Sequence, residues 1–71
     1  MSSNLPKYKT PIKNTKEFWS SINEINDYCL HHQIDYSVMY EKDNGQMLAF
    51  VFFDVKDHQV KLKAAFPQVL K

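Results

Sequence analysis

The stretch Gln46–Phe53 reads Gln-Met-Leu-Ala-Phe-Val-Phe-Phe, and it limits the possible folds more than any other part of the chain. Its β-branched and aromatic content favours a strand. A strand sends alternate side chains to opposite faces, so Met47, Ala49, Val51, Phe53 and Val55 share one face, with Leu48, Phe50 and Phe52 on the other. Both faces are apolar. A strand of this kind is usually central in its sheet and covered on both sides. The remaining residues must therefore supply a neighbour along each edge and a layer over each face.

The segment before it supplies one neighbour. Tyr36, Val38 and Tyr40 alternate with Asp35, Ser37, Met39 and Glu41, which is the period of a half-buried strand over about 35–42. Asp43-Asn44-Gly45 then offers residues that tolerate positive φ, as a tight hairpin requires before a strand over about 46–55. Downstream, Lys56-Asp57-His58 reads as a turn, and Val60, Leu62 and Ala64 alternate with Lys61 and Lys63, predicting a third strand over about 59–65. Pro67 ends regular pairing there.

Upstream the period changes. Phe18, Ile22, Ile25 and Cys29 recur at intervals of four, three and four, which places them on one face of a helix, and Trp19, Tyr28 and His32 widen the stripe. Asn14 and Glu17 have the spacing of a capping box, so the helix is expected over about 15–33. Residues 1–13 contain Pro6 and Pro11 around Lys7-Tyr8-Lys9-Thr10 and read either as a basic arm or as a short edge strand. The expected fold class is α+β, with one N-terminal amphipathic helix on a three-stranded antiparallel β-meander in the order α-β-β-β. Residues 14–71 form its single domain, and a short extra N-terminal edge strand is an option.

One such helix covers only one face of the sheet. Leu48, Phe50 and Phe52 then need another cover, either the chain ends (Leu5, Ile12, Phe66, Val69, Leu70), a second subunit or an unrelated partner. With 71 residues and 8.4 kDa the chain is small enough that help from a partner or a second copy is expected.

Charge is unevenly distributed. Residues 1–16 carry +4, residues 17–57 carry −6 and residues 58–71 carry +3, which sum to the net +1. Basic ends that lie across an acidic middle neutralise it in part. All nine basic residues are Lys, so no planar fork exists for bidentate recognition of phosphate or guanine. An AT-rich coding genome accounts for the absence of Arg, as in a low-GC bacterium or one of its phages or plasmids. Cys29 is the only cysteine, which excludes an intramolecular disulfide, and the first residues lack the apolar run of a signal peptide. A cytoplasmic protein is expected. The longest apolar run, residues 47–53, is far shorter than the twenty or so residues of a membrane-spanning helix, so no membrane association is expected.

Within Gln46–Phe53, the residues Ala49, Phe50, Val51 and Phe53 resemble the third-strand motif of the RNA-recognition-motif family, while Gln46, Met47 and Leu48 depart from it. The resemblance implies an open sheet face on which Phe50 stacks against a base. On that reading Lys7, Lys9, Lys13, Lys61 and Lys63 would contact phosphates, with Tyr8 as a second stacking residue.

Other chemistry is sparse. Cys29, His32 and His58 are of metal-ligating type, and Cys29 and His32 stand three apart on one helical face, yet a fourth ligand is not evident. The simpler reading is a buried thiol and a boundary imidazole, with no metal and no cofactor. There is no phosphate loop and no nucleophile beside a base, and an enzyme is not expected. The leading expectation is a small non-enzymatic module that binds another protein or itself through Leu48, Phe50 and Phe52, as a phage- or mobile-element-encoded accessory or inhibitory protein would. The alternative is a nucleic-acid-binding module.

Overall fold

In the computed structural model, which describes residues 8–71, the chain runs β1 (Tyr8–Pro11), α1 (Thr15–Ser20), α2 (Ile22–His32), β2 (Ser37–Asp43), β3 (Gln46–Phe53) and α3 (Lys56–Ala65). Readings that involve Leu5, Pro6 and Lys7 lie outside the described residues. The three strands form one antiparallel sheet in the order β1-β3-β2, so the doubly apolar strand is central. Asp43 pairs with Gln46, leaving Asn44 and Gly45 as a two-residue turn with φ of 52° and 81°. Positive φ at both positions is the requirement of a type I′ turn, which the Asn-Gly pair meets at low cost.

β1 occupies the other edge of β3, with Tyr8, Thr10 and Pro11 opposite Phe53, Val51 and Phe50. The expected helix-first order is thereby corrected, because a strand precedes the helices. The physical reason is that β3 has two hydrogen-bonding edges, and the hairpin satisfies only one of them.

Asn14 caps α1, its side-chain Oδ1 accepting the Glu17 N–H at 3.0 Å. The expected single helix over 15–33 is two segments that meet at Ser21, which closes α1 through its N–H and accepts the Ile25 N–H at 2.9 Å to open α2. At the far end Gln33 adopts φ 54°, while Ile34 N–H reaches the Cys29 carbonyl at 2.8 Å. This is a Schellman closure, and it buries Ile34 beside Cys29 in the core.

The expected strand over 59–65 does not form. Lys56–Ala65 is the helix α3, so the α-β-β-β order is replaced by β-α-α-β-β-α. The alternation of Val60, Leu62 and Ala64 is coincidental: Leu62 is fully buried while Val60 is 53% exposed. The face turned inward is His58, Gln59, Leu62, Ala65 and Phe66, at helical spacing, although two of its members are polar. Lys, Gln, Leu and Ala also favour a helix intrinsically. Asp57 and Lys61 pair across one turn at 3.1 Å.

The C-terminal tail returns to β1. Ile12 and Leu70 form an isolated antiparallel bridge, Lys13 N–H donates to the Val69 carbonyl at 2.7 Å, and Lys71 N–H donates to Pro11 at 3.1 Å. With the sheet order β1-β3-β2 this is the split β-α-β arrangement, its fourth strand reduced to one bridge beside β1.

The helices all pack on the sheet face that carries Ala49, Val51 and Phe53. The core there contains Phe18, Ile25, Cys29, Ile34, Leu62, Ile12, Val69 and Leu70. Ile12, Val69 and Leu70, expected as a cover for the opposite face, instead fill this core, and Phe66 packs against it. The buried Thr10 hydroxyl accepts a hydrogen bond from Gln59 Nε2 at 2.8 Å, tying α3 to β1. The result is a two-layer slab with extents of 37 × 37 × 16 Å.

The helical burial pattern of α3 predicts unequal effects at Leu62 and Val60. Leu62→Ala should cost about 2–5 kcal/mol in a denaturant titration, because it empties a fully buried site. Val60→Ala should stay within about 0.5 kcal/mol. Equal losses would return both side chains to one face of a strand.

Candidate functional site

The register of the sheet defines its outer face. On β3 it consists of Leu48, Phe50 and Phe52, opposite Glu41, Met39 and Ser37 of β2 respectively. On β1, Pro11 lies opposite Phe50 and Lys9 opposite Phe52. No described helix or loop forms a second layer here. Leu48, Phe50, Phe52 and Met39 thus present a row of apolar side chains, with the Phe50 and Phe52 rings 6.4 Å apart in an edge arrangement.

Lys9 crosses this row. Its Nζ lies 4.2 Å from the centre of the Phe50 ring and 2.9 Å from Glu41 Oε1, so one side chain bridges the two edge strands over the central one. A cation over an aromatic face is worth about 0.5–1 kcal/mol at an exposed site. The ion pair adds about 0–1 kcal/mol, since both side chains are open to water. The face is consequently apolar along its middle and electrically balanced across it.

The other residues suggested for nucleic-acid contact are dispersed. Tyr8 is paired with Phe53 and packs against the core side of the sheet, away from Phe50. Lys61 and Lys63 lie on the exposed side of α3, in the helix layer, and Lys61 is engaged by Asp57. Lys13 donates to the Pro67 carbonyl at 3.1 Å. Lys7 is outside the described residues. Of that set, Lys9 lies over Phe50 on the outer face, and Lys13 lines a groove of about 430 Å³ with Leu48 and Phe50.

Cys29, His32 and His58 do not converge. His32 stacks on Tyr28 at 4.2 Å, and His58 Nδ1 accepts the Asp35 N–H at 3.3 Å. Among the described residues no three His, Cys, Asp or Glu side chains are grouped to hold a metal ion. Cys29 forms the floor of an open groove of about 520 Å³ between the end of α2 and the start of β2, beside Leu30, Gln33, Ile34 and Tyr36. Burial first, and the Asp35 carboxylate second, push its thiol up from 9.0 to about 11. The Tyr36 phenol is also raised, by burial and then by Cys29. A thiol held protonated in this way is a poor nucleophile.

Two features of the site were not apparent in the sequence. The sequence offers Lys9 only as a phosphate contact on the alternative reading, and its position over Phe50 becomes visible only once the β1–β3 register is known. The exposed Trp19, whose Nε1 donates to Tyr40 Oη at 2.8 Å, marks the open edge of β2 on the helix side.

No protein-family model, curated protein or solved structure matches the chain.

The raised Cys29 pKa has a determinable sign. In the unfolded chain the thiol ionises near 9.0 and in the folded protein near 11, so the stability present below pH 9 is lost as the pH rises from 9 to 11. The stability advantage of the wild type over Cys29→Ala should be constant at lower pH and narrow across that interval. Chemical denaturation at a series of pH values measures it, and a constant difference would show that the thiol is not held in its protonated form.

Proposed function

We propose that the protein is a small non-enzymatic module that binds another protein through the outer face of its sheet, centred on Leu48, Phe50 and Phe52. The supporting observation is that an apolar row on the central strand has no layer over it among the described residues, while the opposite face carries the core. Apolar patches on small domains mark contact surfaces, and aromatic side chains supply most of the energy in such contacts. The Lys9–Glu41 pair suits a protein surface better than a polyanion, because the cation that lies over the Phe50 ring is already paired with a carboxylate. An accessory or inhibitory role, exerted by occupying a surface on the partner, fits a module of this size.

A second reading has one observation in its favour. Phe50 lies on the open face of the central strand of a split β-α-β sheet, where a base can stack. It requires the partner to be single-stranded nucleic acid and the Lys9–Glu41 bridge to open.

Both readings predict that Phe50→Asp leaves the fold intact, because Phe50 lies outside the buried core. Under the first, immobilised wild type and Lys63→Glu should retain the same protein from a bacterial lysate and Phe50→Asp should lose it, while a fluorescent oligonucleotide shows no change in anisotropy at low salt. Equal retention by Phe50→Asp would overturn the protein-binding reading. Salt-sensitive oligonucleotide binding lost in Phe50→Asp would establish the second.

A further inference from the structure

The two edges of the sheet are finished differently. On β1, Ile12 N–H donates to the Ala49 carbonyl at 3.0 Å, so the even-numbered residues of this segment face β3 and the odd-numbered ones face outward. Pro11 has no N–H to expose, its carbonyl is taken by Lys71, and the Lys13 N–H is taken by Val69. Proline and a covering segment are two of the devices by which proteins blunt an edge strand.

β2 has neither. The Ala49 bond to β1 means that the even residues of β3 hydrogen-bond to β2, through the pairs 41↔48, 39↔50 and 37↔52. The two-residue turn requires the same phase, since it closes on the hydrogen-bonded pair Asp43↔Gln46. The backbone groups of Val38, Tyr40 and Lys42 therefore point away from the sheet, and among the described residues they have no backbone partner. The register runs from Ser37 to Asp43 without a bulge, and no proline interrupts it. Trp19 and Tyr40, 43% and 47% exposed, flank this edge on the helix side, and Met39 flanks it on the outer side.

We propose that β2 is a self-association edge, at which a second copy of this chain adds its own β2 antiparallel to form a continuous six-stranded sheet. The length and the charges of the strand together select the register. Pairing about Tyr40 sets Ser37 against Asp43, Val38 against Lys42 and Met39 against Glu41, so all seven residues of each strand are paired with no like charges opposed. Centring on Glu41 would oppose two carboxylates, and centring on Lys42 would oppose two ammonium groups. In the Tyr40-centred register the outward residues Val38, Tyr40 and Lys42 of one copy meet those of the other. Every unpaired backbone group of the edge is then satisfied. The surface differs from the outer face of the proposed function, so the two stand or fall separately.

The test is the mass of the full chain by light scattering from micromolar to millimolar concentration, combined with amide exchange. The wild type should rise from 8.4 kDa towards twice that value. As it does, the amides of Val38, Tyr40 and Lys42 should become protected, while those of Met39 and Glu41, bonded to β3, are protected throughout. Tyr40→Lys, which places two like charges together on the two-fold axis, should remain a monomer with an unchanged circular dichroism spectrum. Phe50→Asp should dimerise as the wild type does. A wild type that is monomeric at millimolar concentration overturns the proposal, as does a dimer in which the Val38, Tyr40 and Lys42 amides exchange freely or one lost in Phe50→Asp and retained in Tyr40→Lys. Should Tyr40→Lys fail to fold, the wild-type exchange pattern still decides.

Discussion

The hydrogen bonding of β3 is the constraint on which the rest of the structure depends. In a strand, side-chain direction and backbone hydrogen-bond direction both alternate with period two. In β3 the residues that face the core, Ala49, Val51 and Phe53, are also those whose backbone faces β1, as the Ile12 N–H to Ala49 bond fixes. Leu48, Phe50 and Phe52 face the opposite way in both respects, towards β2 and the outer surface. A slip of one residue would exchange the two sets entirely, replacing Val51 and Phe53 in the core by Phe50 and Phe52 and setting Leu48 where the small Ala49 now sits. The hairpin prevents this, because the positive φ values of Asn44 and Gly45 fit only the two-residue loop that sets this phase.

A core built on one face has consequences for the other. All three helices and the C-terminal tail are committed to the Val51 side, so the slab is two layers deep and 16 Å thick. The buried Thr10–Gln59 hydrogen bond draws α3 onto β1 and closes that side without leaving an unpaired buried side-chain polar atom among the described residues. The outer aromatic row then depends on the sheet itself for shelter. The aliphatic stem of Lys9 provides part of it, since a lysine can lie along an apolar surface while its ammonium group remains solvated. Glu41 holds that ammonium group at the far edge, and in doing so keeps the stem over Phe50.

These relations explain what was legible in the sequence. The doubly apolar run predicted a central strand, and the hairpin, the Asn14 cap and the end of the helix near Gln33 all had local signals strong enough to read. The segment 56–65 did not. A helix stripe is recognised by its apolar members, and α3 turns His58 and Gln59 inward, leaving Leu62 as the one large apolar residue in the middle of its packed face. Meanwhile the exposed Val60 supplied a false alternation with Leu62. Misreading this helix also concealed the split β-α-β order, since without α3 the tail after Ala65 has no route back to β1. The outer-face residues were legible because composition alone marks them. Lys9 was not, because its role depends on its pairing with the distant Phe52, which no local pattern encodes.

The two open features of the molecule, the outer face and the β2 edge, are linked by Glu41. Its side chain anchors Lys9 over Phe50, and its backbone belongs to the strand whose far side is unpaired. Pairing at that edge about Tyr40 would set Glu41 beside Met39 of the partner subunit, adding a neighbour to a side chain that Lys9 already engages. Addition at the edge would therefore join two outer faces into one continuous surface, without contact between the second copy and the aromatic row.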